Sequence, residues 1–488
     1  MRTFHWTTFH WTLGLAAAVV AGPALAADLP STKAPPVYAP PPPAFSWSGF
    51  YLDAAGGYGE WNANTSTAVA GINQIQGGRG FLGRIGGGFD YQFTDHLVAG
   101  VFGDGTYGRM TGIIQDSGAG LSGSPNQNWS WAAGGRLGWL LTPDLLVYGN
   151  AGFTQAHFTS ATLYDSFTGA FTGNSTPGFT ADGWFAGIGA ETMFAPGWFW
   201  RTEYRFADYG GRDLADTGAL GPLDSIHFHP IVQTITSGVV YKFGWPDFNA
   251  PGIPSFTQVT DGFGPAPAAT NWTGVYANAG IGYGLWSANT SVYDPTTGDC
   301  LVCTAQRQGG RGVYGSVGAG YDYQLTNKIV AGVLGEFNPS NLRGALVDQA
   351  DGLAGSISQN WAWAAGARLG WLVSPAVMTY VKAGFTQARF GGAGLQSAFT
   401  GAFSGVSTPG FTADGWFLGG GIEAEFAPGW FWRADYRYAE YGSRDIPELG
   451  AGAPTTIHFR PEEQTATLGL VYKFNFAPPA PAPIVTKY

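Results

Sequence analysis

Apolar and polar residues alternate along most of this chain, in stretches of ten or more residues. The clearest stretch is 80–93, where one face is apolar: Phe81, Ile85, Phe89, Tyr91 and Phe93. The opposite face is small or polar: Arg84, Gly86, Gly88, Asp90 and Gln92. This period of two indicates β-strands, because successive side chains of a strand point to opposite faces. Eight such strands are predicted in the first half, around 50–61, 80–93, 96–109, 127–141, 145–158, 179–194, 198–209 and 231–243.

The connections between these strands alternate in length. Short turns at 94–95, 142–144 and 195–197 join strands two and three, four and five, and six and seven. The remaining connections are long, polar and rich in Gly and Ser. Short periplasmic turns that alternate with long outer loops are typical of bacterial transmembrane β-barrels. The predicted fold class is therefore all-β, a transmembrane antiparallel β-barrel.

A soluble β-sandwich would also show alternation, and the strand at 198–209 argues against it. One of its faces carries large aromatic residues: Trp198, Trp200, Tyr204 and Phe206. The other face carries charges: Arg201, Glu203 and Arg205. The aromatic face suits contact with lipid and the charged face suits a barrel interior, because lipid-facing and lumen-facing residues alternate along a barrel strand.

The whole pattern occurs twice. NWSWAAGGRLGWL at 128–140 recurs as NWAWAAGARLGWL at 360–372, and STPGFTADGWF at 175–185 recurs unchanged at 407–417. A repeat unit of about 200 residues indicates a duplicated domain and not a short-period solenoid. The predicted organisation is a signal peptide, a Pro-rich periplasmic arm, a first barrel, a Pro/Gly-rich linker, a second barrel and a Pro-rich tail, at 1–26, 27–46, 47–245, 246–270, 271–476 and 477–488.

Sixteen strands could instead close into one wide barrel, as in sixteen-stranded porins. The two halves would then be joined by neighbouring strands, for which a tight turn suffices. The Pro/Gly-rich connection at 246–270 is much longer than that and favours two separate eight-stranded barrels.

Composition supports a membrane location. Charged residues make up 11% of the chain and aromatic residues 15%, whereas soluble domains contain about 25% charged residues. The net charge is −10, whereas proteins that bind nucleic acid carry clustered Lys and Arg, so a nucleic-acid partner is not expected. Residues 1–26 resemble a secretory signal peptide, with an apolar core at 13–22 and small residues before Ala27. Export followed by insertion into an outer membrane is expected.

Candidate chemistry is sparse. We predict no catalytic residue, metal ligand or cofactor, and no enzyme. The GGRG motifs at 77–80 and 309–312 lack the following helix that a phosphate loop needs. Cys300 and Cys303 are expected to form a disulfide in an outer loop, since a structural zinc site would need further ligands.

Strand parity instead predicts a network of charged residues inside each barrel. In the first barrel its members are Asp53, Arg84, Asp90, Asp104, Arg136, Glu191, Arg201, Glu203 and Arg205. In the second they are Asp322, Glu336, Arg368, Lys382, Glu423, Glu425, Arg433, Asp435 and Arg437. Buried charges are costly unless they are paired, and an eight-stranded barrel is filled by its own side chains. Each barrel is therefore expected to be plugged, with a narrow ion path as the alternative.

WSGFYLDAAGGYG, WSWAAGGRLGWL and WFWRTEYRFADYG, behind the leader ADLP…KAPPVYAPPPP, resemble the alphaproteobacterial outer-membrane immunogenic protein family. These are OmpA-like, porin-family eight-stranded barrels. The resemblance implies a location in the cell outer membrane, surface exposure and a role in envelope integrity. The implied partners are outer-membrane lipid, lipopolysaccharide and the barrel assembly machinery. The tandem duplication and the tail after VYKFNF (471–476) depart from the family, and the tail affects how the assembly machinery would recognise the last strand.

The resemblance also raises a role for the N-terminus. In similar barrels an exposed Ala-Asp start is joined through its amine to peptidoglycan, and cleavage after residue 26 would expose Ala27 and Asp28. The arm at 27–46 contains four successive prolines at 40–43 and favours an extended polyproline II conformation; the alternative is a plain spacer. The functions left open are a structural envelope protein, a passive porin that includes the merged form, and a surface adhesin.

Overall fold

The computed structural model describes residues 46–67, 74–116, 119–218, 225–243, 271–450 and 455–474, without the side chain of residue 305. Eight long strands belong to the first half: β1 (Gly49–Thr67), β2 (Gln74–Gln92), β3 (Leu97–Gly112), β6 (Asn126–Thr142), β7 (Leu145–Phe158), β10 (Phe179–Ala195), β11 (Trp198–Tyr209) and β14 (Ser225–Lys242). Eight more belong to the second half: β15 (Gly274–Tyr293), β16 (Cys300–Gln324), β17 (Ile329–Asp348), β18 (Leu353–Ser374), β19 (Val377–Phe390), β22 (Phe411–Ala427), β23 (Trp430–Tyr441) and β25 (Thr456–Phe474).

Short strands lie in the long loops between these. They are β4 (Ile114–Asp116), β5 (Leu121–Gly123), β8 (Ala161–Asp165), β9 (Phe171–Thr176), β12 (Arg212–Ala215), β13 (Thr217–Gly218), β20 (Ala393–Ser397), β21 (Phe403–Thr408) and β24 (Arg444–Pro447). Strands β13, β9, β8, β5 and β4 form a separate five-stranded sheet over the first barrel. No helix of the described residues is long and apolar enough to cross a membrane.

Each half of the chain closes on itself. Each long strand of the first half pairs antiparallel with the next, and β1 also pairs with β14 from Tyr51↔Lys242 to Thr67↔Ile226. The second half repeats this order, and β15 pairs with β25 from Val275↔Phe474 onward. The predicted two tandem eight-stranded barrels are confirmed, and the merged sixteen-stranded barrel is wrong. The backbone N–H of Phe243 donates to Phe50, in its own barrel.

The signal peptide at 1–26, the linker at 246–270, the tail at 477–488 and all of the arm except residue 46 lie outside the described residues. The predictions about cleavage and about Ala27 and Asp28 therefore stay predictions.

The alternation along each strand separates an apolar outside from a filled inside. On β2, Phe81 and Ile85 are 78% and 72% exposed, whereas Arg84 and Asp90 are buried in the lumen. Burying charges inward and exposing large apolar side chains outward reverses the arrangement of a soluble protein. It is the arrangement expected of a barrel whose solvent is lipid.

The two barrels pack side by side, and equivalent residues of the two copies meet. Within the described residues, one backbone pairing links the barrels and joins Gln76 on β2 to Gln308 on β16, 232 residues further along the chain. Tyr204 likewise faces Tyr436, with ring centroids 6.4 Å apart. Contacts between equivalent residues are the mark of a two-fold, self-complementary interface. The duplicated units therefore pack like the two halves of a homodimer.

This packing corrects one prediction. Of the four aromatic residues expected to face lipid on β11, Trp198 and Trp200 are exposed. Tyr204 instead lies against Tyr436, and the ring of Phe206 lies 5.6 Å from that of Tyr283 in the second barrel. Half of this apolar face therefore contacts protein, because the neighbouring barrel covers that part of the strand.

Candidate functional site

The lumen of the first barrel contains three layers of buried side chains. Aromatic and aliphatic residues fill the end at which the turns are short: Trp47, Tyr51, Val98, Leu140, Leu146, Tyr148, Phe199 and Val240. A second apolar cluster, around Trp61, Phe158, Phe185 and Phe228, fills the end at which the loops are long. The charged residues lie between these clusters along the strands, as the order Tyr51, Asp53, Trp61 on β1 shows.

The charged layer of the first barrel is one continuous chain of ion pairs. Arg136 bridges Asp90 and Glu191, and Arg201 bridges Glu191 and Asp53 at 2.7 and 3.0 Å. The chain continues through Arg84, Glu203 and Arg205 to Asp104 with N–O distances of 2.6–3.2 Å. Every predicted lumen charge of this barrel belongs to it. The guanidinium group of Arg136 also lies 4.5 Å from the ring centroid of Tyr51, which places the cation on an aromatic face.

Sequence reasoning missed a cation in each barrel. The ammonium of Lys242, on the closing strand, lies 2.6 Å from Asp90 and 3.0 Å from Glu191, and Lys473 takes the corresponding place beside Asp322 at 2.5 Å. The first lumen thus holds five cations and five anions and not four against five. The signal was present in the paired YKF segments at 241–243 and 472–474, where the lysine shares its parity with inward neighbours.

The second lumen repeats the layers with a different set of charges. Arg368 bridges Asp322 and Glu423, and Arg433 joins Glu423 at 2.7 Å to Glu336 at 3.6 Å. Lys382 pairs with Glu336 and Asp435 at 3.0 and 2.8 Å. Arg437 pairs at 4.0 Å with Glu463, a carboxylate that the sequence analysis also missed. Glu425 is half-buried near the end of β22, and its carboxylate accepts the backbone N–H of Gly429 in the following turn.

The two lumens differ by compensated changes. Asn278 and Ser316 of the second barrel stand where the first has the pair Asp53 and Arg84. A cavity of about 20 Å³ lies at these residues, room for roughly one water molecule. The second barrel gains Lys382 and Glu463 where the first has Asn150 and Val232. The second barrel thus lacks one cation and one anion of the first and gains one cation and one anion of its own, so both lumens are neutral.

A tryptophan covers the short-turn end of each lumen. The indole N–H of Trp47 donates to the backbone carbonyl of Pro143 at 2.9 Å, and that of Trp272 donates to Pro375 at 2.9 Å. Both indoles are almost fully buried. Lys242 lies 4.6 Å from the ring centroid of Trp47, so the indole covers the ionic layer from below. An aromatic cover, an ion-pair network and an apolar cluster in series leave little space for a solute.

The GGRG motifs contribute to the interface between the barrels. Their arginines point outward: Arg79 pairs with Glu462 at 2.5 Å, and Arg311 donates to Asn64 at 2.9 Å. A charged side chain at a position that the alternation assigns to the lipid face costs free energy inside the membrane. An arginine at such a position is the sequence signal that could have revealed this interface. In this arrangement the motifs join the two barrels.

The two cysteines and two histidines lie at the outer ends of the long strands β14, β16 and β25. Cys300 and Cys303 are joined by a disulfide. The imidazoles of His227 and His458 each lie 2.7 Å from an exposed aspartate, Asp213 and Asp445. These pairs join the loop strands β12 and β24 to the barrel strands β14 and β25.

Comparison with known proteins also indicates an outer-membrane β-barrel. The outer membrane protein beta-barrel domain matches residues 14–243 and again 262–474. The 31 kDa outer-membrane immunogenic protein of Brucella melitensis is 29% identical over 239 residues, which are 46% of this chain and 96% of that protein. The 22 kDa outer membrane protein of Rhizobium leguminosarum bv. viciae is 31% identical and covers 37% of this chain and 74% of its own length.

Among solved structures, the outer membrane protein OprG of Pseudomonas aeruginosa covers 41% of this chain and 97% of its own, with 14% identity and a TM-score of 0.28. The relatives in sequence are named as outer-membrane proteins and each corresponds to about one of the two barrels. This protein is accordingly located in the cell outer membrane. The chain belongs to the outer membrane protein β-barrel domain family, whose domain it carries twice.

Proposed function

We propose that this protein is a structural component of the outer membrane, in which two closed barrels support envelope integrity and display their long loops at the cell surface. It carries out no catalysis. The observation that supports this most directly is the filling of each lumen by an apolar cluster, an ion-pair layer and a second apolar cluster in series. A solute would have to break buried ion pairs to pass, and breaking such a pair costs about 3–5 kcal/mol.

Single-channel recording in planar bilayers tests the closed state. The full-length protein is expected to insert without stepwise current, and heat-modifiable migration on gels would verify that it is folded. The double variant Asp53→Asn with Arg84→Ser is a matched control, since it gives the first lumen the two residues of the second. It is expected to stay closed. Stepwise, voltage-independent current from the unmodified protein would favour the passive porin.

A deletion strain tests the role in the envelope. Loss of the gene is expected to increase sensitivity to bile salts and leakage of periplasmic proteins. Both defects should be reversed by the unmodified chain and by the Asp53→Asn, Arg84→Ser variant. Normal detergent resistance in the deletion strain would contradict a structural role.

Attachment of the N-terminus to peptidoglycan would strengthen that role. It requires cleavage after residue 26 and an unhindered amine on Ala27, followed by Asp28. Digestion of purified sacculi with a muramidase, followed by mass spectrometry, is expected to release an N-terminal peptide that carries a muropeptide. If every N-terminal peptide has a free amine, the arm is only a spacer.

A surface adhesin is the second candidate, and exposed aromatic residues in the loops favour it. Phe171 and Phe403, equivalent in the two copies, are 68% and 66% exposed, and Phe167 and Phe399 are about half exposed. Exposed aromatic residues at loop tips are frequent anchors of protein interfaces. Cells that display the protein should adhere to host matrix more than cells with Phe171→Ser and Phe403→Ser; equal adhesion would leave only the structural role.

A further inference from the structure

Three carboxylates come together in the outer loops of the second barrel. Asp348 ends β17, Asp351 lies in the following turn, and Glu448 follows β24. One carboxylate oxygen from each lies within 4.8 Å of the other two. The group therefore connects two different loops.

Two of the three carboxylates are buried. Asp348 is 0% exposed and Glu448 is 4% exposed. The Oε1 atom of Glu448 has no hydrogen-bond partner although it is shielded from solvent. The Glu448 carboxyl is hydrogen-bonded to the side chains of Asp348 and Thr455, and among the described residues the charged groups acting on it are Asp348 and Asp351, both of them negative. Oε1 is thus a buried oxygen without a hydrogen bond in a group of like charges, which is costly for a carboxylate unless a cation is present.

The charges of the group act on one another. One oxygen of each carboxylate lies within 4.8 Å of the others, and a hydrogen bond joins Glu448 to Asp348. Like charges held together destabilise the ionised forms. A bound divalent cation would remove that penalty, because it replaces repulsion by attraction to every member.

The oxygens are held in place before any ligand arrives. Asp348 Oδ1 accepts the backbone N–H groups of Ala350 and Asp351 at 2.7 and 3.3 Å. Its Oδ2 accepts the hydroxyl of Thr455 at 2.5 Å. Oδ1 thus uses both of its lone pairs on the backbone, and Oδ2 is the oxygen of Asp348 that can turn a second lone pair towards a metal. The hydroxyl oxygen of Thr455, the residue before β25, adds a further potential ligand.

We propose that Asp348, Asp351 and Glu448 bind one calcium ion, which ties the loop after β17 to the loop after β24. Calcium takes 6–8 oxygen ligands at about 2.3–2.6 Å in flexible geometry. Three carboxylates, the hydroxyl of Thr455 and water supply that number. Magnesium demands a near-ideal octahedron and gives up its water reluctantly, so a group assembled from two loops favours calcium.

The first barrel provides an internal comparison. Asp116 and Asp216 occupy the positions of Asp348 and Glu448 and are both fully buried. Ala119 stands in the position of Asp351, so the third carboxylate is missing. The expected stoichiometry is therefore one calcium ion per chain.

Calorimetric titration of the full-length protein with calcium chloride, in detergent and after removal of metals with EDTA, tests the proposal. One site per chain is expected, with a dissociation constant of about 0.1–1 mM, the range of extracellular calcium modules. Glu448→Gln and Asp351→Asn should each weaken binding by at least about tenfold. Titration with magnesium chloride should give binding that is weaker by a similar factor.

Asp299→Asn, which removes an exposed carboxylate from another outer loop, is the matched control and should bind calcium like the unmodified protein. Because Asp351 is exposed, Asp351→Asn should fold normally even if Glu448→Gln does not. The proposal is overturned if the unmodified protein shows no saturable binding up to about 10 mM calcium, roughly ten times the weakest dissociation constant expected. It is equally overturned if Asp351→Asn, folded by heat-modifiability, binds as tightly as the control.

Discussion

Single residues of the two lumens differ in compensated pairs. Asp53 and Arg84 of the first barrel become two neutral residues in the second, and the second gains Lys382 and Glu463. Charge balance is preserved because each change of one sign is matched by a change of the other. An uncompensated charge in a packed, water-poor lumen would be far more costly than the loss of a whole pair.

We expect Arg201→Ala to destabilise the first barrel by about 3–5 kcal/mol, because the change leaves buried carboxylates without their cation. Arg201 pairs with Glu191 and Asp53 in the lumen. Urea unfolding in lipid vesicles, followed by tryptophan fluorescence, measures the change in free energy.

The control for this prediction is Arg212→Ala. Arg212 lies 3.9 Å from Asp182, and both side chains are 53% exposed. An exposed pair contributes about 0–1 kcal/mol. Equal losses in the two variants would contradict a packed ionic layer.

Gly78 and Gly310 lie so close to indole rings that neither position has room for a side chain. A Cβ atom at Gly78 would lie 2.1 Å from the ring of Trp61, and one at Gly310 would lie 2.2 Å from the ring of Trp286. Gly78→Ala should therefore cost about 1–3 kcal/mol through overpacking. Gly56→Ala, whose Cβ would meet nothing within 4 Å, should cost much less in the same unfolding experiment.

At the scale of strands, alternation and turn length predicted the elements well. All eight long strands of the first copy appear where the period of two placed them, because side chains of opposite polarity on opposite faces leave one register possible. The outer extensions of β1, β2 and β14 and the short loop strands were not predicted. Their positions depend on pairing above the barrel, and short loop segments carry too few residues to show a period.

Barrel closure can be tested between two particular strands. Ala54 on β1 pairs with Val239 on β14. In a background with Cys300→Ser and Cys303→Ser, the variant Ala54→Cys with Val239→Cys should be joined by a short bismaleimide, since paired Cβ atoms lie about 4.5–5.5 Å apart. Val239→Cys with Ala277→Cys, across the two barrels, is the control and should remain unlinked. If only the control pair were crosslinked, the result would support the merged sixteen-stranded barrel.

At the scale of the whole molecule, the polar contacts between the barrels determine how the two copies are held together. Arg79 reaches Glu462 and Ser287, while Arg307 and Arg311 reach Thr111 and Asn64 in the opposite direction. Towards the short-turn end the interface is apolar, around Leu145 and its equivalent Val377. Polar contacts above and apolar contacts below suit an interface that runs from the membrane into the outer loops.

This interface should hold the barrels together without the linker. After cleavage at a protease site introduced within 246–270, the two barrels are expected to comigrate in mild detergent. Arg79→Ala with Arg311→Ala removes the polar contacts and should let the cleaved halves separate, as native electrophoresis would show. Arg343→Ala is the control, because the guanidinium group of Arg343 donates to Asn341 of its own barrel. Separation of the unmodified halves would contradict the prediction.

The sequence by itself determined the fold class, the duplication, the strands and the parity of nearly all the lumen charges. These properties are local or periodic, so a single chain shows them directly. Tertiary structure alone decided the partners: which cation bridges which acids, that Lys242 and Glu463 complete the balance, and that Arg79 leaves the lipid face for the second barrel. It also brought Asp348 and Glu448 together across 100 residues of chain. Such contacts depend on barrel closure and on the packing of one barrel against the other, which no local pattern records.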